Sequence, residues 1–240
     1  MKVEGRNSVY ELLKTDKEID KVLVQKDLQD EASKRLINVI RSHKVKVQVV
    51  DKRVIEKESE SKHSQGFIAF VSDYKYFDLE DILDGCKDKD GFVVVLNEIL
   101  DPHNLGSIIR VCECAGVDGI VISKDRSASV NDTVMRISEG SLNHIKVARV
   151  TNINNAIDKL KDEGFWVYGA EIGGENIYNA DLTGKLCLVI GGEDSGVKRL
   201  TKTKCDKIVS IPMFGKVNSL NASVACGVAV YEAVRQRTVK

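Results

Sequence analysis

The sequence is short of the features that would send a chain into a membrane, a disulfide scaffold or a metal site. Its longest uninterrupted apolar run is about five residues, Phe92-Val-Val-Val-Leu96, where a membrane-spanning helix needs roughly 20. Met1-Lys-Val-Glu-Gly-Arg6 leads into no apolar signal core, so a cytosolic protein is expected. No Cys-x-x-Cys pair occurs, and the histidines at 43, 63, 103 and 144 are scattered, so zinc-ligand spacing is missing and no metal is expected. The cysteines at 86, 112, 114, 187, 205 and 226 read as small buried apolar residues of a reduced protein. Proline is nearly absent too: Pro102 and Pro212 are the only two.

Net charge is also missing, with 36 basic and 36 acidic residues among 240. Its distribution is uneven. Residues 1–75 carry 16 basic and 13 acidic residues, residues 76–195 carry 11 and 21, and residues 196–240 carry 9 and 2. A basic closing segment presents a local field to an anion even in a neutral protein. With 30% charged and 42% hydrophobic residues, a soluble globular chain of one large or two small domains is expected.

The first 75 residues read as a small α/β unit. A helix is predicted from Val9 to Leu13 after Asn7-Ser8, and another from Asp30 to His43, with apolar residues at 32, 36, 37 and 40. Strands are predicted at 21–25, 45–50 and 67–71. Residues 72–90 are acidic, with a short helix at Leu79–Leu83, and 76–90 reads as a linker. From Gly91 strands alternate with helices: strands at 92–96, 119–122, 145–150, 165–170, 186–190 and 208–211, helices at 105–115, 153–161 and 222–237. Such alternation argues for an α/β fold with a parallel sheet covered on both faces.

In an open parallel sheet ligands bind beyond the carboxyl ends of strands, and three loops there stand out. Asp101-Pro-His-Asn-Leu-Gly-Ser-Ile-Ile-Arg110 opens a helix on which Gly106 and Arg110 share a face. Gly106 would admit a ligand to the backbone, and the guanidinium of Arg110 suits phosphate. By spacing alone, Asn104 serves equally as a helix cap and Arg110 as a solvated side chain. Ile190-Gly-Gly-Glu-Asp-Ser-Gly-Val-Lys198 follows an apolar strand. It is neither a Walker A loop, since Val197 stands where Lys is needed, nor G-x-G-x-x-G, and Glu193 would repel phosphate. Ile211-Pro-Met-Phe-Gly-Lys-Val-Asn-Ser-Leu-Asn-Ala-Ser223 ends in Asn221, a natural cap for a helix rich in small residues.

Together these loops resemble the three motifs of the SpoU (TrmH-like) RNA 2′-O-methyltransferases of the SPOUT superfamily. Asp101, Pro102, Asn104, Gly106 and Arg110 match the first, Gly191-x-Glu193-x-x-Gly196 the second, and Ile211-Pro-Met, Gly215 and Ser219-Leu-Asn221-x-Ser223 the third. The order and spacing hold over residues 91–240. Gly5-Arg-Asn-Ser-Val9 and His63-x-Gln65-Gly66 resemble the family's L30e-like substrate-binding domain, although Ser64 interrupts the more usual His-Gln-Gly.

The resemblance implies an RNA substrate-binding domain at 1–75, a linker at 76–90 and a methyltransferase domain at 91–240 whose end is threaded into a trefoil knot. It implies S-adenosylmethionine as cofactor, held mainly through backbone at Gly191, Ile211 and Leu220. It implies a homodimer, no membrane and no metal. Arg110 would engage the phosphate beside the target ribose, with Asn104, Glu193, Ser219 and Asn221 orienting the groups around it. Lys198, Arg199, Lys202, Lys204 and Lys216 are candidates for RNA phosphate contacts. The two-domain form points to a guanosine of 23S rRNA. Transfer RNA, or a catalytically inactive RNA-binding scaffold, stands as the alternative.

Overall fold

A computed structural model describes residues 1–15, 17–61, 63–193 and 196–238. The chain divides into two units, Met1–Lys75 and Tyr76–Lys240.

The first unit runs β1 (Lys2–Glu4), α1 (Arg6–Leu12), β2 (Glu18–Gln25), α2 (Glu31–Ser42), β3 (Val47–Val50), α3 (Lys52–Glu58) and β4 (Phe67–Ser72). Its four-stranded sheet has the order β1-β4-β2-β3, with β2 and β3 parallel and the other pairs antiparallel. Side chains alternate across β2. Val22 and Val24 join Val9, Leu12, Leu36, Ile40 and Phe67 in the main core, while Leu23 meets Ile55 and Ile68 on the other face. Asp30 caps α2 by accepting from the Ser33 amide at 3.0 Å. The first helix begins at Arg6 rather than Val9. Gly5, at φ 94°, makes the turn into it, and Asn7 and Ser8 lie inside the helix.

The Glu4 carboxylate accepts from the Ser59 hydroxyl at 2.7 Å, the Glu60 amide at 2.6 Å, the Ser61 amide at 3.2 Å and the Ser61 hydroxyl. Desolvation pushes its pKa up, but these hydrogen bonds outweigh it and hold the pKa at about 2, below the ordinary 4.5.

The second unit runs α4 (Leu79–Asp84), β5 (Phe92–Asn97), α5 (Pro102–Cys114), β6 (Gly119–Ser123), α6 (Asp132–Ile137), β7 (Lys146–Val150), α7 (Ile153–Asp162), β8 (Trp166–Asn176), β9 (Leu186–Gly191), α8 (Arg199–Lys202), β10 (Lys207–Ser210) and α9 (Ala222–Thr238). Two single 3-10 turns interrupt the connections at Ser141–Asn143 and Ile177–Asn179. Six strands form one parallel sheet in the order β10-β8-β9-β5-β6-β7. All six residues of β5 are buried, as a central parallel strand requires. Val93 and Val95 join Leu79, Ile82, Ala156, Ile157 and Leu160 of α4 and α7. By the strand's two-residue period, Val94 and Leu96 face the opposite side.

Residues 76–90 are not a free linker. Leu79, Ile82, Leu83 and Cys86 are buried in this core, and Asp78 and Asp81 close a capping box on α4. The acidic residues that suggested a linker form the outer face of a packed helix.

Two pairings set up the site. β10 pairs with β8 at Tyr168 and Gly169, then again at Glu175 and Asn176, leaving residues 170–174 as an excursion from the ladder. α9 packs on α5 and reaches back over the sheet. Arg237 fastens its end. The guanidinium lies 4.7 Å from the Phe92 ring centroid and donates to the carbonyls of Asp90 at 3.2 Å, Gly91 at 3.3 Å and Gly184. Cys86, Cys112, Cys187 and Cys226 are buried, Cys205 is half-buried and Cys114 is exposed, and all six are free thiols.

Arg237→Ala removes a cation–π contact and charged hydrogen bonds, so chemical denaturation should show a loss of about 2–4 kcal/mol. For Glu4, the depressed carboxyl pKa means its stabilisation is present above pH 4.5 and lost as pH falls toward about 2. The stability gap between wild type and Glu4→Gln should therefore be widest near neutrality and close across that acid window, read by circular dichroism.

Candidate active site

A cavity of about 720 Å³ opens beyond the carboxyl ends of β9 and β10, beside the excursion within β8. Its walls are residues 170–173 from the β8 excursion, 190–193 and 196 from the loop after β9, and 210–213, 215 and 218–220 from the segment leading into α9. Ala222 and Ala225 close it. The size suits a small-molecule ligand, typically ~300–1,000 Å³.

The loop after β9 exists only because glycine is present. A Cβ on Gly191 would lie 2.1 Å from the Gly196 carbonyl carbon, and one on Gly192 would lie 2.2 Å from the Glu98 carbonyl oxygen. Gly196 has φ +57°, a left-handed conformation that favours glycine. Side chains from neighbouring strands then pin the loop. The Asn97 carbonyl accepts from the Gly192 amide at 3.0 Å, and its side-chain oxygen accepts from the Lys198 amide at 2.8 Å. The Glu171 carboxylate accepts from the Val197 amide at 2.7 Å and pairs with Lys202 at 3.3 Å. Neither Asn97 nor Glu171 stood out in the motif reading. The available signal was positional, since each lies at the end of a predicted strand.

The structure brings most of the expected site residues together. Gly191, Glu193, Ile211, Ser219 and Leu220 all line the cavity. Asn104 is joined to them through a hydrogen bond from its amide nitrogen to the Glu193 carboxylate. Asn104 is buried and is not the cap of α5. Asp101 holds that role, accepting from the His103 amide at 2.9 Å. Asn221 does cap α9, accepting from the Ser223 amide at 2.9 Å and the Ser223 hydroxyl at 2.6 Å.

Arg110 stands apart from the lining residues. It is exposed and pairs with Glu139 at 2.9 Å. Gly106 does not open the backbone to a ligand, because Ile137 of α6 fills the space where its side chain would be, 2.8 Å from an added Cβ. Among the basic candidates, Lys198, Lys202 and Lys204 are committed to Glu98, Glu171 and Asp158. Among the described residues no ion pair involves Arg199 or Lys216.

The segments singled out in the first unit also meet. The Arg6 amide donates to the Gln65 side-chain oxygen at 3.1 Å, and the Gly5 amide donates to the Phe67 carbonyl at 3.0 Å. Among the described residues, no group of three His, Cys, Asp or Glu could hold a metal ion, and no helix is long and apolar enough to cross a membrane.

A parallel sheet with a ligand-sized cavity past its strand ends defines a small-molecule-binding α/β domain. Comparison with known proteins narrows the class. Residues 91–231 match the SpoU rRNA Methylase family. Residues 2–77 match the family described as RNA 2′-O ribose methyltransferase substrate binding. The chain belongs to the SpoU rRNA methylase family, in the form that carries a substrate-binding unit.

It is 40% identical over 238 residues to a Staphylococcus aureus (strain COL) protein assigned by name to the TrmH family of tRNA/rRNA methyltransferases, covering 98% of this chain and 96% of that one. Among solved structures it is similar to the SpoU methyltransferase AviRb from Streptomyces viridochromogenes in complex with AdoMet. That match has a TM-score of 0.63 at 25% identity over 98% of this chain and 90% of the other. The A. aeolicus TrmH/SpoU tRNA modifying enzyme matches at TM-score 0.56 and 31% identity, over 66% of this chain and 83% of its own.

Gly191→Ala should force the two loop strands apart, costing roughly 1–3 kcal/mol as an overpacked site does. Urea denaturation measures this, and an unchanged midpoint would contradict the backbone-to-backbone packing.

Proposed function

We propose that the chain is an S-adenosylmethionine-dependent RNA 2′-O-ribose methyltransferase, with a guanosine of 23S rRNA as its target. One observation carries the reading. The cavity that collects the motif loops has two acidic lining residues, Glu171 and Glu193, and no Lys or Arg among its described walls. Such walls suit a cationic sulfonium better than a polyphosphate. Gly191 and Gly192 line the cavity with main-chain atoms alone, which fits a cofactor held through main-chain groups.

S-adenosylmethionine would supply an electrophilic methyl group. Gly191, Ile211 and Leu220 would hold it. The chain's task is then to place a ribose 2′-hydroxyl in line with that methyl and to ease the loss of its proton. Ser219 offers a hydroxyl at the cavity wall, and the Asn104–Glu193 pair fixes the carboxylate on the opposite loop. Asn221 keeps the start of α9 in place. A guanidinium is a poor base, so the role of Arg110 is to grip the phosphate beside the target ribose and polarise the hydroxyl. Its exposed pairing with Glu139 is cheap to exchange, since such pairs contribute about 0–1 kcal/mol.

Two further elements support the reading. The substrate-binding unit at 2–77 favours ribosomal RNA over transfer RNA, because by resemblance the two-domain form is the ribosomal one. An RNA substrate of that kind would place the protein in the cytoplasm. The exposed Val224 and Tyr231, seven residues apart on α9, with the half-buried Val228 between them, form an apolar stripe suited to a second copy of the chain. A scaffold without activity is disfavoured by the polar network kept at the cavity.

The test is incubation with S-adenosylmethionine and total RNA from cells deleted for the gene, with ribose methylation mapped by resistance to alkaline cleavage. One new protected guanosine in 23S rRNA is expected. A protected transfer RNA nucleotide would overturn the substrate, and absence of cofactor binding would overturn the chemistry. Arg110→Ala should lower single-turnover methyl transfer by about 100-fold or more while S-adenosylmethionine affinity by calorimetry stays at the wild-type value.

A further inference from the structure

Phe214 is the most exposed large apolar side chain among the described residues, at 97%. Its neighbours in sequence, Met213 and Gly215, both line the cavity, so the ring stands at the cavity's rim. Val217, three residues on, is 73% exposed, and Lys216 forms no ion pair among the described residues. An aromatic ring in water, two residues from an ammonium with no ion pair among the described residues, is a combination that single-stranded nucleic acid satisfies: a base stacks on the ring and a phosphate meets the cation.

We infer that Phe214 is a stacking platform for an unstacked nucleobase of the RNA substrate, with Lys216 holding an adjoining phosphate. The inference rests on the methyltransferase reading and deepens it. Transfer to a 2′-hydroxyl requires the ribose to enter the cavity, and the base is bonded to that same ribose at C1′. An inserted nucleotide therefore leaves its own base or the next one at the rim. Taking a nucleotide out of its stack carries an energetic cost, and a ring that is 97% exposed offsets part of it without first giving up a packed position. A second copy of the chain is the competing occupant. The apolar stripe on α9 at Val224 and Tyr231 is better suited to it, because no basic residue lies between those two positions.

Three full-length proteins test this: wild type, Phe214→Leu, and Phe214→Trp made in a Trp166→Phe background so that its indole is the sole tryptophan. Leucine keeps apolar surface but has no π-face. The RNA probe is deproteinised total RNA from cells lacking the gene. Phe214→Leu should raise the half-saturating RNA concentration about ten-fold, the scale of one lost base stack. Its S-adenosylmethionine affinity should be unchanged. The Trp variant should keep RNA affinity, and its indole emission should be quenched on RNA addition.

RNA affinity of Phe214→Leu equal to wild type would overturn the inference. So would a simultaneous loss of cofactor affinity, which would make the ring part of the cavity. An indole signal that follows protein concentration instead of RNA would show that a second copy covers the ring, and would overturn it as well. Failure of the wild type to bind S-adenosylmethionine would count against the methyltransferase reading alone, because indole quenching by RNA is read without any methyl transfer.

Discussion

Backbone meets backbone at Gly191, and the site depends on that contact. The chain leaves the sheet at the end of β9, turns through Gly192, and comes back so closely at Gly196 that no side chain fits between. With no side chains in the way, strand-end carboxylates and amides become the pins: Asn97 from β5 and Glu171 from β8 each take an amide of the returning loop. The cavity is thus a consequence of a glycine crossing held by two polar side chains. The third wall can close on it because α9 starts at a fixed place, set by the Asn221 cap.

Charge then decides what such a cavity suits. The closing 45 residues are basic in sequence, yet their lysines are largely turned to acidic partners on the same unit, and the cavity they border presents carboxylates. Arg199 and Lys216, which form no ion pair among the described residues, lie outside that lining. An acidic lining suits a cation, and the two cations outside it suit a polyanion.

Much of the architecture was legible because it rests on local patterns. The apolar run at 92–96 suits a buried parallel strand, and the motif loops fall where predicted strands of an α/β sheet end. What escaped were features whose signal is too short or is carried by another part of the chain. β1 has three residues, and α3 and α6 have seven and six, too few to display a period. The acidic stretch at 76–90 reads as a linker because its eight charged residues outnumber the three apolar residues, Leu79, Ile82 and Leu83, that bury α4.

The chain itself determined which residue types gather at the strand ends, since alternation and glycine placement are local properties written in consecutive positions. Only the tertiary structure decided what those residues do there. Asn104 has the composition of a cap, but Asp101 occupies that place and Asn104 is left buried, where it must find a partner and finds Glu193, 89 positions away. Gly106 has the look of a ligand contact, but Ile137 fills its space. Arg110 points to phosphate chemistry, yet it stands outside the cavity, on Glu139. Each outcome turns on a neighbour far along the chain, and sequence order does not encode which distant side chain will occupy the space next to a given one.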